Sequence, residues 1–334
     1  MSNKAVNNLT KKKLLFVCRL YVPHVGGVEK HVQELSYLLK TEYDITILTE
    51  QYDSSLPEQE ILNEIKIIRI PNNVQGKFKM WRWIWQHRDL FFKSDIIHIH
   101  DVGWWIIPLL PKLFKKYFMT FHGYEHENGP TVKQILLRKG TEVCAKGTIA
   151  VGAWMKKWYW ANPDVITYGA VYPYNKHEQK QKNSAAFVGR LEQNTGLLDY
   201  IHAFKQLPNW TLHIYGEGIL QTKIPNTKNI IYHGITLDPY RALAQAEIAC
   251  VSQYLAILEA ASVGTSIIAH VCTPLKRDYM NALPIASSCT IVSTPEEIVS
   301  AVKQRKPLES FAQQWAQQQT WEQLAHIYRS LWKK

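Results

Sequence analysis

Long apolar runs are missing from this chain. No stretch reaches the roughly 20 consecutive apolar residues that a membrane-spanning helix needs, so no such helix is expected. The opening MSNKAVNNLTKKKLLFVCRL has a basic lead-in but a run of only five consecutive apolar residues before Arg19. That is too short for the core of a secretory signal, and LLFVC reads instead as a first buried strand. Cysteine is scarce: Cys18, Cys144, Cys250, Cys272 and Cys289 are scattered with no CxxC pair. Three of them stand in or beside apolar runs, which reads as reduced core thiols in a cytoplasmic protein. There is no low-complexity tract. Acids are also short, 28 against 39 Lys and Arg, a net charge of +11. The bias leans to the first 165 residues, with 23 basic and 16 acidic side chains. Nucleic acid, an anionic membrane surface or a phosphorylated substrate would each answer it. No helix-turn-helix, zinc-finger or RNP pattern is present, so nucleic acid is not expected.

What is present fits two domains. At 334 residues with 46% apolar side chains, the chain is too long for one ordinary α/β domain and apolar enough for two cores. In the first half, KLLFVCRL, YDITILTE, IKIIRIP, DIIHIHD, YFMTFHG, TIAVGA and VITYGA read as strands. The loop YVPHVGG leads into a helix from about Val28 to Leu39, with Val32, Leu35, Leu38 and Leu39 at helical spacing. Strands separated by helices imply right-handed crossovers and a Rossmann-like parallel sheet. VYPYNKHEQKQKNS, residues 171–184, is polar and reads as the linker. Expected boundaries are 1–170 for the first domain, 185–312 for the second, and 313–334 for a C-terminal helix.

The second half carries the most informative residues. AAFVGRLEQNTG, LHIYGEG, IIYHGIT and AILEAASVGTSIIAH follow one another between Ala185 and His270, each an apolar strand-like run meeting a Gly or a polar loop. Together with GGVEKHV and FMTFHGYEHENG in the first half, these phrases resemble a retaining glycosyltransferase of family 4, the group 1 glycosyltransferases. The resemblance implies the GT-B fold: α/β, two Rossmann-like domains facing each other across a cleft, with the last helix crossing back to the first domain. TWEQLAHIY resembles the start of that helix.

The resemblance also implies roles. Arg190 would grip the donor diphosphate, because a guanidinium stays charged and binds phosphate oxygens through two N–H groups. Thr195 stands where the family has a lysine, with a hydroxyl that could still bond phosphate. Glu259, at the opening of a helix in the family, would hold the ribose hydroxyls, a carboxylate accepting from a vicinal diol. The family's earlier glutamate and its glycine-rich turn are not recognisable, since ACVSQYLAILE contains no glycine. Gly26 and Gly27, between strand and helix, would bring backbone N–H groups to the donor phosphates. Gly216 would border the nucleotide. His122, at a strand end, would lie near donor sugar and acceptor as a catalytic residue beside Arg190. Glu125 and His126 would line the acceptor side. His98, His100 and Asp101 in HIHD invite a metal reading, but no third ligand has a signature spacing, and the family implies no metal and no cofactor.

The implied reaction moves a sugar, from a UDP- or GDP-sugar, to a glycan or lipid-linked acceptor. A catalytically silent homologue and a GT-B sugar-nucleotide epimerase stay open as alternatives. Finally, FKMWRWIWQHRDLFFK, KLFKKYF and WMKKWYW interleave aromatics with Lys and Arg. That pattern suits peripheral contact with an anionic membrane, centred on Trp81, Arg82, Trp83, Trp85 and Lys93 with Lys115 and Lys116.

Overall fold

The structure is a computed structural model that describes residues 11–334; the basic lead-in of residues 1–10 lies outside the described residues. Two sheets form. The first contains β1 (Lys12–Val17), β2 (Tyr43–Glu50), β3 (Gln59–Leu62), β4 (Ile65–Ile70), β5 (Ile96–His100), β6 (Phe118–Phe121), β7 (Gly147–Val151) and β8 (Val165–Thr167). Its order is β3-β4-β2-β1-β5-β6-β7-β8. Helices α1 (Gly27–Leu39), α2 (Lys77–Gln86), α3 (Asp89–Phe92), α4 (Leu110–Leu113), α5 (Val132–Cys144) and α6 (Met155–Tyr159) connect these strands. The second sheet is built from β9 (Ser184–Val188), β10 (Thr211–Tyr215), β11 (Ile230–Gly234), β12 (Ile248–Val251), β13 (Ser266–His270) and β14 (Thr290–Val292), in the order β11-β10-β9-β12-β13-β14. Around it lie α7 (Leu197–Lys205), α8 (Pro239–Gln245), α9 (Tyr254–Ser262), α10 (Pro274–Asn281), α11 (Pro295–Gln304) and α12 (Ser310–Gln318).

Every strand pair is parallel except β3 with β4. Strands β5 and β7 are buried along their whole length, because helices cover both faces of a parallel sheet. Even the two histidines of β5 and the threonine of β7 are buried there. Strand β3 was not expected. Its QEIL carries little periodicity, and Ile61 is 77% exposed. It forms because Asn63 and Glu64 both take positive φ, 52° and 70°, and turn the chain tightly back onto β4.

The crossing helix is α13 (Trp321–Trp332). Trp321, Leu324, Ala325, Tyr328, Leu331 and Trp332 are its buried residues, at the spacing of one helical face. They join Val32, Leu35 and Leu39 of α1 in the first domain's core. Thr320 caps the helix by accepting from the Gln323 N–H at 3.1 Å. Helix α12 stays with the second domain, where Gln313 and Gln317 donate to the Ser262 carbonyl. The return to the first domain thus begins near Gln319, later than residue 313. The expected linker has no regular structure between 172 and 181, but it is strapped down. The Tyr172 N–H donates to the Tyr240 hydroxyl at 2.8 Å, and Lys180 Nζ to the Ala246 carbonyl at 3.0 Å. One apolar cluster runs through both domains, from Trp105 and Trp154 to Leu258 and Tyr279.

Candidate functional site

The carboxyl ends of the two sheets face each other, and the loops there hold most of the residues singled out above. In the second domain, the loop after β9 carries Arg190, and the loop after β10 lies directly on it. Leu191 N–H donates to the Glu217 carbonyl at 2.8 Å, and Leu220 N–H to the Leu191 carbonyl at 2.9 Å. Gly216, at φ +134°, sits so close that a Cβ there would come 1.9 Å from the Gly189 carbonyl oxygen. Only glycine permits that approach. Gly216 therefore acts through the backbone, fixing the loop that presents Arg190. The Arg190 side chain is 44% exposed and meets Glu192 at 3.2 Å, a surface pair worth at most about 1 kcal/mol. Its charge acts on the Tyr124 phenol of the first domain and on the Lys276 ammonium. Thr195 departs from the expected role. It is buried, and its hydroxyl donates to the Glu192 carbonyl at 2.6 Å, so its proton is committed to the loop and not free for a phosphate.

Glu259 also differs from expectation. It does not open a helix: α9 starts five residues earlier, at Tyr254, with only two residues between it and the end of β12. The shortened connection leaves no glycine turn. The first amide of α9, Tyr254 N–H, donates instead to the Tyr279 hydroxyl at 2.9 Å, and the two rings stack at 3.8 Å. Glu259 itself is 4% exposed, with Oε1 2.8 Å from Lys30 Nζ of α1. The carboxylate thus bridges the domains. Its role toward a ribose can be measured: Glu259→Gln should weaken a nucleoside and its diphosphate by the same factor, about tenfold or more. Equal affinity of the wild type for ribo- and deoxyribonucleotides would remove that role.

In the first domain, Gly26 precedes α1 with extended backbone and no capping side chain. Gly27 is open, with nothing near the position of a Cβ. The Glu29 carboxylate folds back against Gly26 and pairs with His24 Nδ1 at 2.9 Å. A carboxylate at a helix start is what the dipole favours.

His122 is half-buried. Its backbone N–H donates to Asp101 Oδ1 at 2.9 Å, and its Nε2 meets His100 Nδ1 at 2.8 Å. Burial and then the Arg138 charge push it down to about 3, so it works as a neutral imidazole. Asp101, in left-handed backbone at φ +62°, positions that loop. His98 is fully engaged, by Thr120 Oγ1 at 2.7 Å and Trp332 Nε1–H at 2.9 Å. His98 and Asp101 therefore do not carry the metal reading of HIHD. His31, His100 and His122 do bring donor atoms within 4.8 Å of one another. Hydrogen bonds account for part of that cluster, His31 Nε2 meeting the Tyr328 hydroxyl at 2.8 Å, while His100 Nε2 is buried with no hydrogen-bond partner among the described residues.

The two oxygens of Glu125 are engaged by Arg138, at 2.8 Å, and by the Tyr159 hydroxyl, which tie its loop to α5 and α6. His126 is exposed.

Sequence reasoning missed Lys30, Tyr254, Tyr279 and Lys276. Lys276 is the most unusual: it is 0% exposed, and its Nζ has no hydrogen-bond partner among the described residues. Nothing in TPLKRDY marks such a lysine; a cation in a polar first turn ordinarily points to solvent.

Comparisons with known proteins bear on this arrangement. Residues 25–167 match the family model described as Glycosyltransferase Family 4, and residues 182–304 match the one described as Glycosyl transferases group 1. No curated protein sequence matches at a significant level. Among solved structures, a sucrose-phosphate synthase from Thermosynechococcus elongatus is similar over 97% of this chain and 100% of its own, at TM-score 0.73 and 15% identity. HepE of Anabaena, solved with UDP and glucose, covers 96% and 100%, at TM-score 0.68 and 13% identity. WaaG, a glycosyltransferase of lipopolysaccharide biosynthesis, covers 94% and 99%, at TM-score 0.63 and 14% identity. At these identities the likeness is one of fold.

Proposed function

This chain belongs to the group 1 glycosyltransferases and has their GT-B fold, and from that premise we propose that it transfers a sugar from a nucleoside diphosphate to an acceptor hydroxyl with retention at the anomeric carbon. UDP is the first nucleotide to try, because HepE was solved with UDP and with UDP-glucose; a GDP-sugar is the alternative. The acceptor is a glycan or a lipid-linked sugar, met at an anionic membrane surface. The observation that carries the reading is the Arg190 loop, locked by Gly216 at the carboxyl end of β9 and turned toward Tyr124 of the opposite domain. Such strand-end crevices are where open α/β sheets bind ligands.

In the reaction the bond from the anomeric carbon to the diphosphate breaks, and a bond to the acceptor oxygen forms on the same face. The acceptor proton passes to the departing phosphate oxygen. Arg190 stabilises the charge that grows on that phosphate. His122, neutral and held by His100 and Asp101, serves as a hydrogen-bonding group beside the sugar and not as a charged acid.

A second reading, binding without turnover, has its own support. The Tyr254 amide that could face a donor sugar is occupied by Tyr279, and Lys30 occupies Glu259. Incubating the protein with a panel of nucleotide sugars, with and without glycan acceptors, separates the two. Slow release of nucleoside diphosphate is expected; tight binding with no release over many hours would favour the silent homologue.

A further inference from the structure

Lys276 has no place in the function as described so far, and its surroundings call for one. An ammonium group has three donors and no acceptor. Buried without partners, it loses its hydration and gains nothing in return. The Tyr279 ring lies 4.7 Å from Nζ and the Tyr124 ring 6.0 Å. Ring faces attract a cation, but they leave its N–H groups unsatisfied. The backbone offers no relief: no carbonyl among the described residues accepts from Nζ. Tyr124 comes from the first domain and Tyr279 from the second, so the ammonium sits at the seam between them. The charged and titratable groups facing it are Glu127, Cys272, Arg190 and His270, the last paired with Asp199, along with the two phenols. Two cations, Arg190 and Lys276, thus converge on one region of the cleft; Glu192 pairs with Arg190 at the surface, and Glu127 lies near Lys276 without bonding it. That is the charge pattern of an anion site awaiting its anion.

We propose that Lys276 is the second cation of the donor-diphosphate site, supplying from α10 the positive charge that the Arg190 loop lacks at Thr195. The assignment rests on the nucleotide-sugar reading above. It adds that the diphosphate is held by one cation from the loop after β9 and one from the helix after β13. A buried lysine also gives the site a titration. Burial pushes Lys276 down to about 8, against the opposing pull of Glu127 and Cys272. Below that pH the group is charged and binds the diphosphate fully. As pH rises through about 8 the unliganded protein loses the proton, and affinity falls.

The test uses the full chain with UDP, uridine and inorganic pyrophosphate as probes, read by calorimetry, together with thermal melting. Lys276→Met keeps the volume and removes the charge. It should weaken UDP and pyrophosphate by about 10- to 100-fold, leave uridine unchanged, and raise the melting temperature of the free protein. Lys276→Gln guards against a poorly folding variant. On the wild type, UDP affinity should decline between about pH 7.5 and 9.5, where its phosphates are already ionised, and that decline should vanish in Lys276→Met. Unchanged UDP binding in the variants, or equal losses for UDP and uridine, overturns the assignment while leaving the transferase reading intact. Pyrophosphate bound through Lys276 with no affinity for UDP sustains the anion site and sinks the nucleotide reading. Wild type that binds neither UDP nor pyrophosphate ends both.

Discussion

Arg190→Ala lowers affinity for UDP by about 10- to 100-fold and leaves affinity for uridine unchanged, as calorimetry on the two ligands should record. The expected size follows from what the side chain does now and what it would do with ligand bound. In the free protein it is largely exposed and paired only with Glu192, two residues away in sequence. Removing that pair costs less than about 1 kcal/mol, so the variant should fold normally. Against a diphosphate the same guanidinium makes a forked, charge-assisted contact in a partly dry cleft, where each bond is worth roughly 1.5–3 kcal/mol. The preorganisation is in the backbone: Gly189, Gly216 and Gly218 let two loops interlock beneath Arg190, so little order must be gained on binding. Arg190→Lys should recover only part of the loss, because a lysine is a point charge and cannot fork. Equal losses for UDP and uridine would return Arg190 to the role of a surface ion pair.

The fold was legible in the sequence wherever burial was complete. The LLFV of β1 is buried residue after residue, and its continuous apolar run announces it. α13 was legible because its buried face recurs at helical spacing. β3 was not, since an exposed edge hairpin made by two positive-φ residues leaves no apolar signature. At the site, Arg190 and Gly216 were found because a loop that crowds backbone against backbone must spend glycines, and glycines show. Thr195, Glu125 and Glu259 were found as residues but not as contacts. Their partners, Glu192, Arg138 and Lys30, are set by tertiary approach, which local spacing does not encode. Lys276 was invisible for the same reason: its burial is created by Tyr124, more than a hundred residues away, closing over α10.

The second large expected effect is on the membrane binding we propose. The aromatic and basic segments do not all behave alike. Trp154 and Tyr159 are core residues, and Trp158 Nε1 donates to Asp278 of the other domain at 2.9 Å, so WMKKWYW belongs largely to the interior and the interdomain contact. Trp81 is half-buried and donates to the Trp104 carbonyl at 2.8 Å; Trp83 is half-buried and stacks on His87 at 3.8 Å. The expected centre therefore shifts. In the first two segments Phe78, Trp85, Phe92 and Phe114 are the exposed rings, at 83%, 49%, 38% and 54%, and Trp160 of the third is exposed as well. Phe78, Arg82 and Trp85 share one face of α2 by helical spacing. Arg88 lies over Trp85, and Lys112 over Phe92. Asp89 offsets Lys93 at 2.9 Å, which leaves Lys77, Lys79, Arg82, Arg88, Lys112 and Lys116 to face an anionic surface. The patch is tied to the candidate site through Trp81 and Trp104, three residues beyond Asp101, so a docked surface would present lipid-linked acceptors close to the cleft. Each basic side chain at such a surface contributes about 1 kcal/mol, screened over about 10 Å at 0.1 M salt. Replacing Lys79, Arg82 and Arg88 together by Gln should then lower partitioning onto phosphatidylserine vesicles by about 100-fold. Trp85→Ser should lower it at high salt as well, because the ring supplies the apolar part. Vesicle sedimentation at low and high salt reads both. Equal and poor pull-down by anionic and neutral vesicles at low salt would assign these rings to a protein interface and the acceptor to solution.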